Sequence, residues 1–198
     1  MTSLPSLESA LQSKDSLDRL LSTLFEHSPI LSDTLVPQLL ERIAAADPKP
    51  QSHVEIIDLA ADQLRAWPPL SQAAFIDSHP RIGEVTGLSA LSAKEQATKA
   101  TPPTVLARLA HLNALYEQRY TGLKYVVFVN GRSRAEIVPL IEETLGIGPA
   151  EEGHEAEPAL ESVVPLEVED AEWQKELKRA IEDVVHIAKA RLKALGEQ

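Results

Sequence analysis

The stretch Ser78-His79-Pro80-Arg81-Ile82-Gly83-Glu84 places an imidazole where acid–base chemistry can use it. Proline restricts the residue before it to extended backbone, so His79 is expected on a defined kink and not inside a helix. Gly83 lets the chain turn again close by. A histidine held in this way can exchange protons near neutral pH. Read alone, the same seven residues also fit a helix boundary with a purely structural histidine, which is the commoner use of His-Pro. Glu95 has a similar double reading, because it lies three residues after Ser92, the spacing of a capping box. Arginines bind small anions, but on spacing alone Arg132 reads as a solvated residue after the Asn130-Gly131 turn. Arg191 likewise reads as a snorkelling side chain of a C-terminal helix.

Other chemistries fall away. The chain has no cysteine, which removes disulfides, thiolate metal sites and thiol nucleophiles together. His27, His53, His79, His111, His154 and His186 are scattered, with no HExxH or clustered metal spacing. GxGxxG, phosphate-loop and GxSxG patterns are missing as well. The net charge of −11 leaves no basic stripe for nucleic acid, although one or two local arginines suffice for a small anion. No apolar run approaches membrane-spanning length, and the N-terminal residues lack a basic region followed by an apolar one. The closing Gly196-Glu197-Gln198 does not match the simple C-terminal peroxisomal signal. A soluble intracellular protein is expected, cytoplasmic or peroxisomal.

The elements that must position these groups are mostly helical. Aromatic residues make up only 4% of the 198 residues, so the core has to come from Leu, Ile, Val and Ala, which favours helices over a β-sandwich. Leu7, Leu11, Leu17, Leu20, Leu21 and Leu24 follow helical spacing, and further amphipathic segments end at Asp47-Pro48 and at Pro68-Pro69. Val105, Leu109, Leu112, Leu115 and Tyr116 share one face of the next strong helix. A helix from about Arg134 is expected to kink at Pro139. The clearest helix is the last, with Leu177, Ile181, Val184, Val185, Ala188 and Leu192 as its buried stripe. Only Leu-Lys-Tyr-Val-Val-Phe-Val, residues 123–129, reads as β-like, with Asn130-Gly131 as a turn signal. Residues 146–170 carry eight acidic side chains and no Lys or Arg, broken by Gly and Pro, and read as a mobile acidic insertion. The fold expected is all-α: one domain over residues 1–198, a helical bundle with one short extended segment and a long acidic loop.

Several of these segments occur in an order that resembles a known family. Phe25-Glu26-His27-Ser28-Pro29, the 78–84 stretch, Leu91-Ser92-Ala93-Lys94-Glu95-Gln96, residues 106–120, Val129-Asn130-Gly131-Arg132-Ser133 and Ile187-Ala188-Lys189-Ala190-Arg191-Leu192 are together similar to the 2-oxo-4-hydroxy-4-carboxy-5-ureidoimidazoline (OHCU) decarboxylases of urate degradation. The resemblance implies an all-helical protein that needs no metal or organic cofactor and often forms a homodimer. It implies a small ureidoimidazoline substrate that loses carbon dioxide to give (S)-allantoin. Its catalytic positions fall on His79, Glu95 and Arg191. Its substrate-contacting positions fall on Pro80, on Ser92, Ala93, Lys94 and Gln96, and on the run Tyr125, Val126, Val127, Phe128 and Val129, with Arg132 matching a basic position just after.

The sequence departs from the family pattern at Thr121, Leu123 and Lys124, where aromatic and proline residues are common, and at His186, where lysine is common. The segment after Leu145 is longer and more acidic than usual. Two other readings stand beside the decarboxylase: a helical interaction module whose acidic loop binds a basic partner, and a lyase for a related ureido acid.

Overall fold

Serines set most of the helix starts. The hydroxyls of Ser6, Ser13, Ser52 and Ser133 each accept a hydrogen bond from the backbone N–H three residues on, meeting a donor that the first helical turn leaves unpaired. The computed structural model describes residues 4–84, 88–96, 101–147 and 159–196, with the side chains of Glu95 and Gln96 outside the described set. Its α-helices are α1 (Leu7–Gln12), α2 (Lys14–Phe25), α3 (Val36–Ala45), α4 (His53–Arg65), α5 (Pro69–Ile76), α6 (Ala90–Gln96), α7 (Pro103–Arg119), α8 (Arg134–Leu145) and α9 (Ala171–Ala194). A π-helical turn, Leu31–Leu35, leads into α3, and a 3-10 turn occupies Leu160–Ser162. The class is all-α, as the composition and periodicity suggest.

The chain divides into two compact units, residues 1–79 with 177–198 and residues 80–176. In the first, α2 buries Leu17, Leu20, Leu21, Leu24 and Phe25, and α4 buries Ile56, Ile57, Ala60 and Leu64. The later part of α9 adds Leu177, Ile181, Val184, Ala188 and Leu192, the stripe expected of it. Phe75 of α5 meets Phe25 edge-on at 6.0 Å and Trp67 at 6.2 Å, and its ring lies 5.8 Å from that of His79. One expected N-terminal helix is two, because Ser13 ends α1 and caps α2 at once.

In the second unit α7 and α8 pack together. Leu109, Leu112, Leu115 and Tyr116 are buried with Ile137 and Ile141, while Val105 is only half-buried. Arg108 of α7 pairs with the buried Glu142 of α8 at 2.7 Å. Pro139 lies inside α8 without ending it, and the capping box at its start is formed by Ser133 and Glu136. The β-like residues 123–129 form neither helix nor strand. Among the described residues the one bridge joins Tyr120 to Leu166. Residues 148–158 of the acidic segment lie outside the described residues. Its 159–170 part holds the 3-10 turn, and Leu166 N–H donates to the carbonyl of Arg119 at 2.8 Å.

Candidate active site

His79 follows the end of α5. Its backbone N–H donates to the Ile76 carbonyl at 3.0 Å, closing a turn that continues the last helical residues. His79 is buried, with 3% of its surface exposed. Its Nδ1 lies 3.5 Å from the Ser78 hydroxyl, which itself donates to the Phe75 carbonyl at 2.6 Å and so presents an accepting oxygen to the ring. Nε2 is fully buried and has no hydrogen-bond partner among the described residues. An accepting Ser78 oxygen favours the tautomer with the proton on Nδ1, which leaves the Nε2 lone pair without a partner among the described residues, the form in which an imidazole accepts a proton. Burial lowers the pKa of His79 to about 4, helped by the Arg191 guanidinium and opposed by the Glu26 carboxylate. At neutral pH the ring is neutral.

Arg191 lies in the last turns of α9 and is as buried as His79. Its Nη2 meets Glu26 Oε1 at 2.8 Å, and its Nη1 donates to the carbonyl of Leu24 at 3.2 Å. The first unit thus gathers His79, Arg191 and Glu26. Glu26 stands in one of the motifs quoted above, but spacing gives no sign of its role. The signal that finds it is its backbone, which has φ +71°.

The rest of the 80–84 turn belongs to the second unit, where α7 holds it. Asn113 Nδ2 donates to the Ile82 carbonyl at 3.0 Å, and Arg81 makes a forked pair with Glu117 while also bonding Glu84. Those hydrogen bonds, that to Glu117 first, raise the pKa of Arg81. Gly83 has φ +94°, and a Cβ there would come within 3.2 Å of Leu109. The motif therefore needs glycine for both backbone and space. Pro80 is half-buried.

The α6 positions differ from the capping expectation. Ser89, not Ser92, caps the helix, its hydroxyl accepting from the Ser92 N–H at 3.1 Å. Ser92 is buried within the first turn, Ala93 is half-buried and Lys94 is exposed. The side chains of Glu95 and Gln96 lie outside the described residues. Farther on, Tyr125 and Val126 are buried and Val127, Phe128 and Val129 half-buried. Asn130 and Gly131 both take positive φ, so the turn forms as the sequence indicates, although no strand pair flanks it. Arg132 closes that turn: its Nε donates to the Val129 carbonyl at 2.9 Å and its Nη2 to that of Phe128.

A neutral, buried imidazole beside a guanidinium is suited to moving a proton on a small anionic molecule shielded from water. The OHCU decarboxylase profile matches residues 10–166, most of the chain, and the protein belongs to that family. His79, Glu95 and the 125–132 run lie within the match, and Arg191 lies beyond it. No curated protein matches the chain significantly. Among the described residues no helix is long and apolar enough to cross a membrane.

Proposed function

We propose that this protein decarboxylates 2-oxo-4-hydroxy-4-carboxy-5-ureidoimidazoline to (S)-allantoin in urate breakdown, using its own side chains and no metal or organic cofactor. The observation that carries the proposal is the buried Nε2 of a neutral His79, which has no partner among the described residues and feels the charge of Arg191. The carbon–carboxylate bond breaks, and its electron pair passes through the ring carbon into the adjacent C=N, whose nitrogen takes a proton from solvent. The enol left behind gives its hydroxyl proton to Nε2. The imidazolium returns a proton to the ureido-bearing carbon on the one face it reaches, which fixes the S configuration. General acid–base help of this kind contributes about 10²–10⁴-fold. Arg191 attracts the anionic substrate, and burial strengthens that attraction relative to water.

The residues of the second unit enter the proposal through the family resemblance. Glu95 binds ureido or ring N–H groups or orients the imidazole. Ser92, Ala93, Lys94 and Gln96 line the substrate, and the backbone of Tyr125, Val126, Val127, Phe128 and Val129 bonds the flat ring. Arg132, with Nε and Nη2 committed to its own turn, supports this run more directly than it binds a carboxylate.

The test is circular dichroism of urate being oxidised by urate oxidase and hydroxyisourate hydrolase, with and without this protein. Rapid growth of the (S)-allantoin signal, lost in a folded His79→Ala variant, is the expected result. A trace no faster than spontaneous decay, or full turnover by His79→Ala, sinks the proposal.

A further inference from the structure

Glu26 follows the last residue of α2 with φ +71° and ψ 144°. That backbone lies close to a region that is almost the preserve of glycine, and a side chain held there is strained. Strain of this kind persists where the surroundings over-determine the conformation, and here they do. On one side, the Leu24 carbonyl accepts from Arg191 Nη1. On the other, the buried Ser28 accepts from the Leu31 N–H at 3.3 Å and anchors the next turn. Between these two anchors the Glu26 carboxylate meets Arg191 Nη2 at 2.8 Å, with side-chain exposures of 12% and 3%. Arg191 thus satisfies the Leu24 carbonyl near the end of α2 and, through its other Nη, pairs with the Glu26 carboxylate.

We propose that Glu26 is a positioning residue of the His79–Arg191 site, its carboxylate holding the guanidinium in one orientation and sharing its charge. This inference rests on the decarboxylase reading. The negative charge of the substrate carboxylate disperses as carbon dioxide leaves, so a guanidinium that grips the carboxylate at full strength stabilises the ground state more than the transition state. A carboxylate already paired with Arg191 weakens that grip and fixes where it acts. Glu26 and Arg191 also act on His79 in opposite senses, as expected of charges arranged around one imidazole.

Glu26→Gln keeps the shape and an accepting oxygen and removes the charge. Steady-state kinetics on this variant are paired with a proton–nitrogen NMR spectrum of the arginine side chains. The expected result is unchanged far-ultraviolet dichroism, kcat lower by about tenfold, and KM unchanged or lower. Arg191 Nη–H resonances are resolved in the parent protein and averaged by rotation in the variant. Glu26→Asp, which keeps the charge one methylene short, falls between the two and serves if the glutamine variant does not fold. Parent-level kcat in either folded variant overturns the proposal, as do Arg191 resonances that Glu26→Gln leaves unchanged. If the parent protein itself does not accelerate (S)-allantoin formation, the decarboxylase reading falls and takes the kinetic role of Glu26 with it. That outcome is distinct from a loss confined to the variants.

Discussion

At the scale of single residues, burial decides what His79 can do. An exposed histidine titrates near pH 6.5, whereas this one is pushed to about 4, so its neutral form persists well into acid. The proposed base thus stays competent between pH 7 and 5, and log kcat/KM should be flat there, bending down only as the pH nears 4. A bend near 6.5 would mean that the ring is not buried in the working enzyme. The same shift carries a stability consequence. Between pH 6.5 and 4 the unfolded chain binds a proton that the folded one refuses, so stability is fully present above 6.5 and is lost as pH falls toward 4. At about 1.4 kcal/mol per pH unit the loss from this group approaches roughly 3 kcal/mol. Urea denaturation of the parent and of His79→Gln at pH 7 and pH 5 should show a smaller drop in the variant. The kink at His79 was legible in Pro80 and Gly83, whereas its candidacy as a base came from the family resemblance, because His-Pro alone fits a structural helix boundary equally well. Glu26 was not legible, since a positive φ at a glutamate and a partner 165 residues away leave no local pattern.

At the scale of elements, the periodic stripes were legible and the pairings between elements were not. Leucine spacing on α2, α7 and α9 marks which face is buried, because that face recurs every three or four residues. Residues 123–129 mislead because alternating β-branched and aromatic residues suit any half-buried extended chain, and a strand exists only where another strand pairs with it. Here the carbonyls of Phe128 and Val129 find the Arg132 guanidinium instead. The Arg108–Glu142 pair was equally invisible, joining α7 to α8 between side chains 12% and 6% exposed. Removing one member leaves the other charge buried, which in such pairs costs about 3–5 kcal/mol. Arg108→Met should therefore lower the urea midpoint sharply. Arg108→Met combined with Glu142→Leu should recover most of that loss, since replacing both charges removes the desolvation penalty too. A double variant no more stable than the single one would show that the pair's worth lies in its geometry and not in its burial.

At the scale of the whole molecule, the charge and the proposed chemistry pull in opposite directions. The chain carries −11, and the proposed substrate is an anion. Long-range repulsion slows their encounter, whereas the attraction of Arg191 acts only at short range, within a buried environment that salt screens weakly. The two contributions separate by ionic strength. Raising salt from about 0.01 M to 0.15 M shortens the screening length from roughly 30 Å to 8 Å. This removes the repulsion and leaves the local pairing largely intact. An enzyme limited by encounter should then show kcat/KM rising about two- to threefold with salt, with kcat unchanged. Glu151, Glu152, Glu155 and Glu157 are four of the acidic residues after α8, and replacing them with glutamine takes the net charge from −11 to −7. That variant should start from a higher kcat/KM at low salt and rise less steeply, while its kcat stays at the parent value. A kcat/KM that falls with salt in both proteins would mean that attraction at the site governs encounter. A kcat lost on this replacement would give the acidic segment a part in turnover and not only in charge.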